Sequence, residues 1–168
     1  MDGEPDFSEY AAARWPALVR SAVLLGCAVA EAEDLAQTTL VRCYQAWSKV
    51  RRAHHRDAYV YRILVNCYRD SRRRRWWAEK PTDRVPDRPE GDRTAQVDTA
   101  DAVARALARL SAPYREAVVL RYYAQLSEQQ IAEALHIAPG TVKSRLSRAL
   151  AKLSSDADLA DLNGGSPS

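Results

Sequence analysis

Long apolar runs are missing from this sequence, and no stretch approaches the ~20 consecutive apolar residues that a membrane-spanning helix requires. Cysteine is scarce. Cys27, Cys43 and Cys67 are odd in number, widely spaced and set in otherwise apolar helical patterns, so they read as small buried hydrophobes and not as a disulfide framework. Histidine is equally scarce, and His54 and His55 have neither Cys-x-x-Cys nor His-x-x-x-His spacing around them, so no metal site is expected. A glycine-rich phosphate loop, a nucleophile elbow and a convincing His–carboxylate constellation are all lacking, which argues against an enzyme and against a bound cofactor. The segment Met1 to Pro5 is acidic and has no basic-then-apolar signal pattern, so the expected location is the cytoplasm.

What is present is helical patterning in two blocks. A chain of 168 residues makes one ordinary domain or two small ones, and a domain of about 70 residues is only marginally stable alone. Between Lys80 and Gln96 the composition shifts to Pro81, Pro86, Pro89, Gly91 and many charges, with Val85 the only aliphatic before Ala95, which cannot support a core. The expected organisation is all-α: a helical domain over 7–78, a flexible linker over 79–97, a second helical domain over 98–155 and a disordered tail over 156–168. The net charge of +3 is a mild signal, and its distribution matters more than its total.

In the first block, Tyr10, Trp15, Leu18, Val19, Ala22 and Leu25 roughly follow helical spacing, jogged at Pro16, and Gly26 to Ala30 reads as a break. A second helix opens on Glu31, Glu33 and Asp34 and is expected to end near Lys49, followed by a basic loop over Val50 to Arg56. A third carries Tyr59, Ile63 and Asn66 or Cys67 along its axis and runs into Arg69, Arg72, Arg73, Arg74 and Arg75, then Trp76 and Trp77.

In the second block, Val103, Leu107 and Leu110 mark one helix, and Pro113 introduces another with Tyr114, Val118 and Tyr122 on one stripe. Ser127 and Gln130 have the spacing of a capping box ahead of Ile131, Ala134 and Leu135. A short turn, His136 to Ala138, leads to Pro139 at a first helical position and a final helix through Leu153, beyond which the chain looks frayed. Two short helices across such a turn have the layout of a helix-turn-helix, whose second helix enters the DNA major groove. Val142, Leu146, Ala149 and Leu153 fall on one face, and Thr141, Ser144, Ser147 and Arg148 on the other, with Lys143 and Arg145 at the seam. Small hydroxyls and cations without acidic neighbours suit close approach to DNA; an amphipathic bundle helix with a solvated basic face is the alternative.

Leu126 to Ala149, and above all Gly140-Thr-Val-Lys-Ser-Arg145, resembles region 4 of sigma factors, and Leu110 to Tyr122 resembles its lead-in. His136 stands where a turn glycine is common and Ala138 where a serine often caps the recognition helix. Asp34 to Trp47 resembles the region 2 helix that docks on the clamp coiled coil of RNA polymerase, and Tyr59 to Arg75 the part that opens and reads the −10 element. The lack of further regions points to the extracytoplasmic-function (ECF) group, and the Arg-over-Lys bias with high Ala to a GC-rich, actinobacterial genome.

The resemblance implies a transcription initiation factor with core RNA polymerase and promoter DNA as partners, an anti-sigma protein being a further partner of many relatives. It places polymerase contacts at Asp34, Leu35, Gln37, Leu40 and Tyr44, −10 contacts at Ala46, Asn66, Arg69, Arg72 and Arg73, and −35 contacts at Thr141, Lys143, Ser144, Arg145, Ser147 and Arg148. Leu35, Val41 and Trp47 are the competing candidates for the internal core of the docking helix. Asn66, whose amide can both donate to and accept from a base edge, is expected with Ala46 in a pocket for a flipped base, against the reading of an ordinary exposed residue. Trp76 and Trp77 either stack on exposed bases or anchor the helix end, and packing is the expectation. The rival function is a helix-turn-helix regulator that binds DNA as a dimer without joining polymerase, which requires a palindromic target.

Overall fold

The computed structural model describes residues 4–78 and 95–163, and every regular element among them is helical. The first block forms α1 (Glu4–Leu25), α2 (Val29–Gln45), α3 (Trp47–Arg52) and α4 (Arg56–Ala78). Pro16 sits inside a single continuous α1. It lies on the exposed side, where water can serve the carbonyl that a proline leaves without an N–H donor.

Gly26 ends α1 at φ +117°, with the Gly26 amide donating to the Val23 carbonyl and the Cys27 amide to that of Ala22. This is the paired closure that a left-handed residue after a helix permits. The second helix stops four residues sooner than its periodicity suggests. Ala46 (φ −111°, ψ 22°) leaves the helical region, and the chain restarts as α3, so only Ala53 to His55 remain of the expected basic loop.

The second block forms α5 (Ala95–Arg109), α6 (Ala112–Val118), a π-helical turn (Val119–Tyr123), α7 (Glu128–Leu135), α8 (Pro139–Ser154) and α9 (Ala157–Asn163). Most of the expected linker lies outside the described residues, and α5 begins at Ala95. The tail expected to be disordered from residue 156 holds a helix as far as Asn163. Arg109 reaches from α5 to both Asp156 and Asp158, and the Asp158 amide donates to the Asp156 carboxylate at 3.0 Å, fixing the turn that starts α9. Residues 164–168 of that tail lie outside the described residues.

Leu18 and Leu25 of α1, Ala36 and Cys43 of α2 and Leu64 and Val65 of α4 are buried, as are Leu120, Ile131, Val142 and Ala149 of the second block, and these residues form one continuous cluster. Burial pushes the Cys43 thiol up to about 12, which keeps it a neutral apolar filler. The two blocks therefore share a core, with α4 against α7 and α1 against α5 and α6.

Candidate nucleic-acid interface

The capping box forms as the sequence suggests. The Ser127 amide donates to Gln130 Oε1 at 2.8 Å and the Gln130 amide to Ser127 Oγ at 3.1 Å, satisfying two N-terminal donors of α7. α7 ends at His136 in the left-handed region (φ 55°, ψ 47°), and the Ile137 amide donates back to the Ala132 carbonyl at 3.1 Å. Ala138 precedes α8 in extended backbone with no side-chain cap, and Pro139 opens the helix.

These two helices and their turn make a helix-turn-helix. Val142, Leu146 and Ala149 of α8 are buried and Leu153 is half-buried, while Thr141, Lys143, Ser144, Ser147 and Arg148 are exposed and Arg145 is half-buried. Thus five of the six expected −35 contacts lie open on one side of an amphipathic helix without an acidic residue.

The expected −10 residues occupy a different situation. Arg69 donates to Glu116 of α6 through Nε (3.2 Å) and Nη2 (2.7 Å), and the Glu116 side chain is only 5% exposed. Arg72 donates to the Gly26 carbonyl at 2.8 Å and lies 5.1 Å above the Tyr68 ring. Arg115 of α6 donates to the Leu25 carbonyl at 2.9 Å, the acceptor that also serves Tyr68 Oη at 2.8 Å. The C-terminal carbonyls of α1, the negative end of its dipole, thus collect an arginine from each block. A Cβ at Gly26 would lie 3.1 Å from Arg72 and 3.2 Å from Arg115, so glycine suits both the turn and this convergence.

Earlier along α4, Tyr59 and Arg62 line a cleft of about 320 Å³ with Gln129, Gln130 and Glu133 of α7. Half-buried Asn66 lies between Arg62 and Arg69 in the same helical register. In this closed arrangement the second block lies over the stripe of α4 expected to meet DNA. Arg73 is exposed and, among the described residues, pairs with Asp70 at 3.3 Å, and half-buried Ala46 sits at the α2–α3 junction.

On α2 the assignment of two aliphatics changes. Leu35 is 6% exposed and belongs to the core, whereas Val41 is 50% exposed. α2 packs against both α1 and α4. The open face carries Asp34, Gln37, Val41 and Tyr44, with Leu40 half-buried beside it. The i, i+3, i+7 step from Asp34 was the signal that could have found Val41. Tyr44, 51% exposed, is steadied by Phe7 at 5.0 Å between ring centroids. Trp47 is buried, as the core reading of it requires.

A helix-turn-helix joined to a helical domain with a basic terminal helix defines a DNA-binding protein of two modules. Residues 14–78 match the family described as Sigma-70 region 2, and residues 100–153 match Sigma-70, region 4. The chain is 38% identical over 158 residues to the RNA polymerase sigma-E factor of Streptomyces avermitilis, covering 94% of this chain and 88% of that one. It is 34% identical over 152 residues to the ECF RNA polymerase sigma factor SigL of Mycobacterium tuberculosis, covering 88% and 84%. Among solved structures it is similar to the sigma factor RpoE of Bartonella quintana in complex with the anti-sigma factor NepR, at TM-score 0.70 and 28% identity, covering 88% of this chain and 94% of that one. It is also similar to CnrH in complex with the cytosolic domain of CnrY, at TM-score 0.66 and 27% identity, covering 95% and 89%. The chain belongs to the sigma-70 family of RNA polymerase sigma factors, in its ECF group.

Proposed function

We propose that the chain joins core RNA polymerase in the cytoplasm and directs it to a two-part promoter, with no chemistry of its own. The observation that carries this reading is the match to both regions in one chain in the family's order, with the region 4 recognition face open on α8. The face Asp34, Gln37, Val41 and Tyr44 docks on polymerase, with an apolar patch inside a polar frame. α4 then reads and opens the −10 element through Asn66, Arg69 and Arg73, while Thr141, Lys143, Ser144, Ser147 and Arg148 grip the −35 element. Two weak DNA modules become specific when tethered on one chain.

Because α4 faces the second block, DNA reading requires the blocks to separate. An anti-sigma protein is proposed as a further partner, supported by the two solved relatives seen in such complexes. The apolar groove of about 360 Å³ lined by Val103, Leu107, Tyr122, Tyr123 and Leu150 offers it a surface.

The test is reconstitution. Purified protein added to core polymerase should give transcription from genomic fragments that share one two-part promoter, and Tyr44→Ala with Val41→Ser should weaken polymerase binding without reducing −35 DNA binding. Tight binding to a palindrome as a dimer, with no polymerase-dependent initiation, would contradict the reading.

A further inference from the structure

Trp76 and Trp77 are not packed. They are 78% and 82% exposed, more than any other large hydrophobic side chain among the described residues. The expectation that they anchor the helix end is therefore corrected, and the anchors are arginines. Arg75 pairs with Glu31 of α2, and Arg72 is held by the Gly26 carbonyl and the Tyr68 ring. The last two turns of α4 are thus tied down by these arginines, while both indoles remain exposed. An aromatic side chain of this size offers ~150–250 Å² of surface, and leaving two of them in water on a pinned helix has no purpose for the fold itself.

Their neighbours identify what would cover them. By helical register Arg73 and Arg74 stand one turn before Trp77. Arg74 has no ion-pair partner among the described residues, and Arg73 has only its own-turn neighbour Asp70. Two flat apolar rings beside two available guanidinium groups complement a chain of phosphates carrying flat rings. A protein groove would ask for further apolar neighbours around the pair, and a lipid surface for a longer apolar stripe. Neither is present among the described residues, since Arg72 to Arg75 fill the preceding turn.

We propose that Trp76 and Trp77 form a stacking site for unpaired bases of single-stranded nucleic acid, with Arg73 and Arg74 holding the adjoining phosphates. The inference rests on the reading of α4 as the promoter-opening helix. It extends that reading to the far end of the helix, ten residues or ~15 Å beyond Asn66. Stacking needs an open π-face, which duplex DNA withholds, so the site discriminates between strand states and not between sequences.

The test uses the full chain and a short oligothymidylate, with a duplex of equal length as control, followed by fluorescence anisotropy. W76A/W77A should bind the single strand about tenfold or more weakly and the duplex within about twofold of the unaltered protein. W76F/W77F should restore most of the loss, because a smaller ring still stacks. R73A/R74A should flatten the salt dependence of both complexes. Unchanged single-strand affinity in W76A/W77A would overturn the proposal, as would an equal loss for both DNAs or a loss of core polymerase binding with DNA binding intact. The unaltered protein is assayed in parallel for polymerase-dependent initiation. Failure there alongside tryptophan-dependent single-strand binding would refute the sigma reading and leave the stacking site standing.

Discussion

Arg69 and Glu116 join the two domains by a pair of parallel hydrogen bonds, 3.2 and 2.7 Å long, and the carboxylate lies almost wholly out of water. A buried carboxylate is tolerated because the guanidinium fork meets both of its oxygens. The same bond occupies a cation of α4 that is proposed to meet the −10 element, and the adjacent Arg115 adds a second tether at the Leu25 carbonyl.

Glu116→Gln keeps the shape and removes the charge, which should favour separated domains by about 1–2 kcal/mol, a roughly tenfold shift in the closed-to-open ratio. Small-angle scattering should show a larger radius of gyration, and the variant should bind −10 DNA more tightly without polymerase. An unchanged radius together with unchanged DNA binding would mean that the ion pair does not hold the domains together.

The turn of the helix-turn-helix contains two residues that can be improved. Ala138 gives α8 no side-chain cap, and Ala138→Ser should stabilise the second domain by ~1 kcal/mol. His136 bears a left-handed backbone that glycine adopts without steric cost, so His136→Gly should add about 0.5–1 kcal/mol and His136→Val should remove at least as much. Thermal melts of the three variants decide this, and the order Gly above His above Val is the expected result.

Local rules made much of this molecule legible in its sequence. The capping box at Ser127 and the inward face Val142–Leu146–Ala149 each follow from residues within one or two turns of each other. Contacts between distant segments left no such signature. Nothing near Glu116 announces that it meets Arg69, and nothing in the polar tail announces that Arg109 fixes Asp156 and Asp158. Leu35, weighed both as a polymerase contact and as a core residue, is buried, and Val41, weighed as core, is exposed; α2 is buried on two sides, so its apolar pattern is broader than a single stripe and its phase alone cannot say which aliphatic remains outside.

α9 should be the most acid-sensitive element. Hydrogen bonds from Arg109 hold the carboxyls of Asp156 and Asp158 below the ordinary carboxylate range. A carboxyl depressed in the folded state contributes stability that is present above its unfolded value and is lost as pH falls through the folded one. Docking of α9 should therefore be intact at neutral pH and fail below about pH 4, before the buried core of the second domain yields. Amide exchange across Ala157 to Asn163 measured from neutral pH downward tests this, and Arg109→Gln should abolish the pH dependence. Protection that persists unchanged in that variant would assign the docking to apolar contacts alone.

Two cations on α8 should part company when −35 binding is dissected. Arg148 stands among Ser144 and Ser147 on the outer face, where a guanidinium can make two hydrogen bonds to a guanine edge, whereas Lys143 near the start of the helix is placed as a point charge for phosphate. Arg148→Ala should cost ~1–3 kcal/mol and relax base preference at one position of the element, with little change in salt dependence. Lys143→Ala should weaken binding to all sequences alike and reduce the salt slope by about one unit. Titrations of each variant against a set of single-base promoter changes at several salt concentrations separate the two outcomes. If both variants lose affinity uniformly across sequences, α8 grips the backbone only and the specificity must come from α4.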